Sequence, residues 1–215
     1  MTIARLAPDA LRLVAVIRAD RPEDALFAAR AMAQAGVRGI EITFTVPDAL
    51  AIIRAAIAEL PPEVIVGAGT VLTREQADSA LAAGARFLVS PVGDAWLVGM
   101  GHEAGVEVAI GGLTPTEIVA ARRAGADYVK LFPGDACGGP RYIKNLRGPL
   151  PDIPLMVTGG VTRENAADYL AAGAQSVGLG SDLMPKALVT ANDLDGLVRH
   201  AAGVVATVLG KRVTG

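Results

Sequence analysis

The chain has 215 residues, 52% of them hydrophobic but only 4% aromatic, and a net charge of −2. Such a length suits one domain with a substantial core, and a near-neutral charge without a basic cluster argues against a nucleic-acid partner. The single cysteine, Cys137, cannot close an internal disulfide and suits a reducing cytoplasm. Arg5, Asp9 and Arg12 interrupt the first apolar stretch, which makes it a poor signal peptide, and no apolar run approaches the roughly 20 residues of a membrane span.

In chain order, short apolar runs alternate with longer amphipathic ones. Strands are expected at Leu13–Ile17, Gly39–Phe44, Val64–Gly67, Arg86–Ser90, Val106–Ile110, Asp127–Phe132, Pro154–Thr158 and Ser176–Gly180. Helices are expected at Pro22–Ala35, Pro47–Glu59, Thr73–Ala83, Ala95–Ala104, Pro115–Ala124, Gly139–Leu146 and Arg163–Ala172, with Asp193–Leu209 as a closing helix. An Ala-Gly pair followed by Val or Ala stands before five of the strands, at Gly36, Gly84, Gly105, Gly125 and Gly173, where glycine can end a helix with positive φ. Thr73 with Gln76 has the spacing of a capping box, and Thr114-Pro115 puts proline at a first helical position. Strands such as Leu13–Ile17 are apolar on both faces, as in a parallel sheet covered by helices. Eight such units, spaced about 20 to 27 residues apart, most economically close into a single-domain (β/α)8 barrel over residues 1–215; an open doubly wound sheet is the alternative. In a barrel, functional groups belong at the C-terminal ends of the strands.

One strand stands out. In Asp127-Tyr128-Val129-Lys130-Leu131-Phe132, alternation puts Tyr128, Lys130 and Phe132 on one face. The chain has four lysines (Lys130, Lys144, Lys186 and Lys211) against sixteen arginines, and Lys130 sits in the middle of an expected strand with apolar neighbours on both sides. A buried ammonium is costly unless it is paired or loses its proton, and a lysine that has lost it is a nucleophile toward carbonyls. Glu41 lies between Ile40 and Ile42, so it faces inward with Thr43. It is either a structural partner of Lys130 or a general acid–base beside an amine nucleophile.

The other strand ends carry further candidates. Arg18 follows the first strand directly and can fork onto a carboxylate or phosphate, or remain a solvated loop arginine. Gly67-Ala68-Gly69-Thr70-Val71 offers backbone N–H groups to a small anion, Ser90-Pro91 makes a rigid turn, and Gly111-Gly112 permits close approach. Thr158-Gly159-Gly160-Val161 and Gly178-Leu179-Gly180-Ser181-Asp182, after strands seven and eight, have the place and composition of a phosphate site. His102-Glu103 reads as a helix-surface pair and Trp96 as packing. With only His102 and His200 in the chain, neither a Cys–His pair at Cys137 nor a metal site is expected.

Seven pieces, in order over about residues 12 to 185, resemble one family: Val16-Ile17-Arg18-Ala19, Ile40 to Ala49, Gly67-Ala68-Gly69-Thr70-Val71, Lys130 with Leu131-Phe132-Pro133-Gly134, Gly139-Pro140-Arg141-Tyr142-Ile143-Lys144, Thr158-Gly159-Gly160-Val161 and Gly180-Ser181. These are similar to the 2-keto-3-deoxy-6-phosphogluconate (KDPG) / 4-hydroxy-2-oxoglutarate (KHG) aldolases. The resemblance implies a class I, metal-independent aldolase without cofactor, a cytoplasmic homotrimer that splits KDPG into pyruvate and glyceraldehyde 3-phosphate in Entner–Doudoroff sugar-acid breakdown. It implies Lys130 as the Schiff-base lysine and Glu41 as the proton-transfer residue. Arg18, Thr45, Thr70, Pro91 and Phe132 would line the pyruvate end, and Thr158, Gly159, Gly160, Gly180 and Ser181 would hold the phosphate. Two positions depart from the family: Thr45 stands where some members carry arginine, and Ile110-Gly111 where Pro-Gly is frequent. A sister group acts on the galactonate isomer, and the Gly178–Leu183 run is compatible with it. A phosphate-binding barrel isomerase using Lys130 only as a charge, and a non-catalytic trimeric scaffold with a structural Lys130–Glu41 pair, are the remaining readings.

Overall fold

A computed structural model describes residues 6 and 10–210; Arg5, Asp9 and Lys211 lie outside the described residues. The order of elements is β1 (Leu13–Ile17), α1 (Pro22–Gln34), β2 (Gly39–Thr43), α2 (Ala49–Glu59), β3 (Ile65–Gly69), α3 (Arg74–Ala82), β4 (Phe87–Val89), α4 (Ala95–Glu103), β5 (Glu107–Gly111), α5 (Pro115–Arg123), β6 (Tyr128–Leu131), α6 (Pro140–Arg147), β7 (Leu155–Thr158), α7 (Ala166–Ala171), β8 (Ser176–Leu179), α8 (Lys186–Thr190) and α9 (Leu194–Leu209). Each strand pairs in parallel with the next, and β1 pairs with β8 as well as β2, so the sheet closes into a (β/α)8 barrel. An open doubly wound sheet is excluded by that last pairing.

Local chemistry explains where elements begin and end. Thr73 and Thr114 both close capping boxes, with Gln76 and Glu117 respectively. Gly36, Gly84, Gly105, Gly125 and Gly173 all have positive φ and follow helices, as the repeated Ala-Gly pairs predict. Two helices, α2 and α7, start more than one residue later than expected. The turn before α2 is held by Val46 N–H donating to the Thr43 carbonyl (3.0 Å), and Asp48 is left-handed. The turn before α7 is held by Asn165, whose Oδ1 accepts from Thr162 N–H (2.8 Å). The five-residue α8 was not expected from the pattern. It buries none of its side chains, so no apolar stripe marks it.

The apolar residues form two layers. The larger lies between strands and helices and includes Ile17, Ile40, Ile42, Val66, Leu88, Ile110, Val129, Leu131, Val157 and Leu179 with the buried faces of the helices. Those faces are rich in alanine, for example Ala25, Ala28, Ala29 and Ala31 on α1, which explains how so few aromatics suffice. The smaller layer fills the barrel interior with Val14, Val16, Phe87, Val89, Ala109 and Met156. Gly67 is part of it, because a Cβ there would strike the Phe87 ring. Interior packing therefore occupies the lower barrel, and the upper barrel is left to polar groups. Helix α9 covers the outside with a stripe of Leu197, Ala201, Val204, Val205 and Val208, packing on α1, α7, α8 and β1.

Below the sheet, Arg147 ties three segments together. Its guanidinium donates to the carbonyls of Leu150 (3.2 Å), Pro151 (3.0 Å), Ile153 (2.8 Å) and Gly173 (2.7 Å), and to Gln175 Oε1 (3.0 Å). An ammonium cannot reproduce this planar fork. Arg147→Lys should lower stability by about 1.5–3 kcal/mol, read as a shifted denaturant midpoint with unchanged slope.

Candidate active site

The sixth strand carries its lysine into the barrel. Lys130 pairs in register with Gly111 on β5 and Met156 on β7, and its side chain is only 2% exposed. Glu41, from β2 across the barrel, is fully buried, with Oε1 3.9 Å from Lys130 Nζ. Neither Glu41 oxygen has a hydrogen-bond partner. A buried carboxylate with open lone pairs beside a single amine is arranged to exchange protons with something that enters, since a purely structural ion pair is stable only when those lone pairs are satisfied. Lys130 Nζ also lies 5.6 Å from the centre of the Phe132 ring.

Gly69 makes room for this pair. A Cβ at Gly69 would collide with the Glu41 carboxylate, so the acid lies over the bare backbone of β3. Most of the run expected to offer N–H groups to an anion is strand. Gly67, Ala68 and Gly69 belong to the ladder with β2, Gly69 accepts from Phe44 N–H (2.9 Å), and Val71 N–H donates to Val89 (3.1 Å). The glycines serve side-chain packing instead. Thr70 follows in the left-handed region (φ 58°), a strained setting for a β-branched residue, with its hydroxyl buried and unpartnered.

Above Lys130 opens a cavity of about 540 Å³. Of the sequence-predicted residues it brings together Arg18, Lys130, Phe132, Thr158, Gly159, Gly160, Gly180 and Ser181. Glu41, Thr45, Thr70 and Pro91 do not line it. Glu41 lies behind Lys130. Thr43 donates to the Ile17 carbonyl (3.0 Å), so Thr45 is the donor in the 2.7 Å contact between their hydroxyls. Pro91 is turned toward β5, where its carbonyl occupies the place a Gly111 Cβ would need. The expected close approach at Gly111 is thus made by the neighbouring loop.

The far end of the cavity is built from the loops after β7 and β8. Gly159 and Gly160 have φ of 80° and 70°, where a side chain would be strained. The loop after β6 folds down on them: Gly134 N–H is shared by the Thr158 (2.8 Å) and Gly159 (3.0 Å) carbonyls, and the Asp135 side chain fills the position of a Gly160 Cβ. Beneath that loop, burial and then the Asp135 charge raise the Tyr169 phenol above its ordinary value, so it remains a neutral hydroxyl. Asp182 joins the two glycine loops by accepting from Arg163 N–H (2.6 Å), Asn165 Nδ2 donates to the Gly160 carbonyl (2.9 Å), and His200 Nε2 donates to the Asp182 carbonyl (2.8 Å). These fixing groups were missed in the sequence, where only the Asn165 turn spacing, three residues after Thr162, gave a signal. His102, read as one of a surface pair, instead contacts Asp127 Oδ2 at 2.9 Å below β6. Among the described residues no cluster of three or more His, Cys, Asp or Glu is placed to hold a metal.

Comparison with known proteins extends this geometry. The family model described as "KDPG and KHG aldolase" matches residues 6–200. The chain is 39% identical over 183 residues to the 2-dehydro-3-deoxy-phosphogluconate aldolase of Pseudomonas aeruginosa, covering 85% of this chain and 82% of that one. It is 38% identical over 174 residues to the 2-dehydro-3-deoxy-6-phosphogalactonate aldolase of Escherichia coli, covering 80% and 84%. Among solved structures, the KDPG aldolase of Legionella pneumophila, with pyruvate captured as a covalent carbinolamine, superposes with a TM-score of 0.83 at 29% identity, covering 92% and 95%. A barrel whose buried lysine meets a glutamate beneath an open cavity, matched along nearly its whole length, belongs to the KDPG and KHG aldolase family.

Proposed function

We propose that this protein is a class I aldolase that cleaves 2-keto-3-deoxy-6-phosphogluconate to pyruvate and glyceraldehyde 3-phosphate, with 4-hydroxy-2-oxoglutarate as a smaller substrate of the same site. The observation that carries this reading is the buried Lys130 amine, 3.9 Å from Glu41, at the floor of a cavity that ends in two glycine loops. The free amine of Lys130 adds to the C2 ketone, and loss of water gives an iminium. Glu41, directly or through one water, takes the C4 hydroxyl proton as the C3–C4 bond breaks, and the electron pair passes into the iminium. The aldehyde leaves, the enamine is protonated at C3, and water releases pyruvate and restores the amine. The iminium is the electron sink, so no step as written calls on a metal.

Arg18 is the cation for the keto-acid carboxylate, and Phe132 forms the wall above the amine. Thr45, Thr70 and Pro91 are not in the cavity lining and would act by shaping the strand ends that carry it. Thr158, Gly159, Gly160, Gly180 and Ser181 receive the phosphate through hydroxyl and backbone donors. The 6-phosphogalactonate isomer is the second reading, supported by the 38% identical Escherichia coli relative that carries that name. A cytoplasmic homotrimer is the setting proposed with this function.

Incubation with pyruvate and borohydride should add one pyruvyl group to the mass of the chain, and Lys130→Met should abolish the adduct; an unmodified wild type would rule out imine chemistry. Glu41→Gln should still trap pyruvate but lose about 10²–10⁴-fold in kcat, the range typical of general acid–base groups. Wild-type turnover in that variant would remove Glu41 from the reaction. Gly69→Ala should displace the Glu41 carboxylate and lower kcat by about 10²-fold while the circular dichroism spectrum stays that of the parent. Equal activity would show that the acid tolerates another position.

A further inference from the structure

The cavity has a third cation besides Arg18 and Lys130. Lys186, the first residue of α8, lines it together with the Gly159–Gly160 and Gly180–Ser181 loops, and α8 begins five positions after Ser181. Its Nζ lies 3.0 Å from Asp20 Oδ2 on the loop after β1, which also lines the cavity. This contact spans 166 positions in sequence and joins the segments that follow the adjacent strands β1 and β8. Both side chains are more than four-fifths exposed (84% and 83%), so the pair adds little to stability and is held weakly. Asp24 adds a second acid to the same rim. Lys186 is thus a cation on a cavity lining that also carries two carboxylates.

We propose that Lys186 is a specificity-determining cation for the distal phosphate of the substrate, and that Asp20 is its intramolecular competitor. The inference rests on the reading of the substrate as a phosphorylated keto acid. An exposed ammonium bound to one carboxylate exchanges readily to a phosphate dianion, because the dianion brings twice the charge and the exposed ion pair it displaces is worth little. The lysine stem is long and flexible, so its head can swing from Asp20 toward the glycine loops without movement of α8. Arg18 lies at the other end of the substrate, where the carboxylate binds, so the two cations would set the length and charge of the keto acid that fits.

The test is steady-state kinetics with 2-keto-3-deoxy-6-phosphogluconate, plus competitive inhibition by inorganic phosphate. Lys186→Met should raise KM and the phosphate inhibition constant about two- to five-fold, with kcat changed less than KM. Lys186→Arg should recover most of the loss. Asp20→Asn should lower both constants, and this gain should be smaller in the double variant, since the freed lysine supplies part of it and the lost carboxylate repulsion the rest. Raising the salt concentration should shrink every one of these differences. An unchanged phosphate constant in Lys186→Met, while Ser181→Asp weakens phosphate binding, would overturn the role of Lys186 and leave the aldolase reading intact. An unchanged constant in Ser181→Asp as well would overturn the phosphate site on the glycine loops, and the role of Lys186 with it.

Discussion

The contact on which the site depends is between two side chains that water does not reach. Lys130 and Glu41 enter the barrel from opposite parts of the sheet and come within 3.9 Å with almost no exposed surface. Removing an acid or an amine from water is costly, and the attraction between them offsets that cost only when the geometry is good. Here the geometry is left open: Glu41 has unsatisfied oxygens, and the amine faces a cavity. A structural pair would be expected to fill its remaining hydrogen bonds. This one leaves them open, so the barrel retains a locally unfavourable arrangement at the place the proposed reaction would use.

The rest of the molecule is arranged so that this can persist. Stability comes mainly from the layer between strands and helices, where nearly all buried aliphatic residues lie. The interior layer is small, ending around Phe87, Val89 and Met156, so the upper barrel can hold polar groups without breaking a continuous core. Glycine at 69 replaces a side chain with the Glu41 carboxylate, and glycine at 67 does the same for the Phe87 ring. Both are packing devices inside strands, and neither needs an unusual backbone angle. Such interdigitation is sensitive to a single methyl group.

The distal end follows a different rule. Gly159 and Gly160 do adopt left-handed angles, and the two distal loops are fixed by side chains outside the cavity: Asn165, Asp182 and His200. In the proposed function these loops present backbone donors to a phosphate, and donors so used are not spent within the loop. Its shape then has to come from bonds made by its other groups. The long amphipathic α9 contributes through His200, which links the outer helical layer to the loop after β8.

The sequence by itself determined the eight βα repeats, the closing helix, the buried lysine and the glycine loops after strands seven and eight. Each is written in local patterns: apolar alternation, Ala-Gly helix ends, capping boxes and an isolated lysine in an apolar strand. It also named Glu41, because an acid between two isoleucines has only one direction to face. Only the tertiary structure decided how near Glu41 comes to Lys130, that Gly69 shelters it, that the cavity is lined without Thr45, Thr70 and Pro91, and that α8 carries Lys186 to Asp20. The reason is range. A helix end or a strand period is set by neighbours a few residues away, whereas contacts such as Gly69 with Glu41 and Lys186 with Asp20 join positions 28 and 166 residues apart and exist only once the strands have paired.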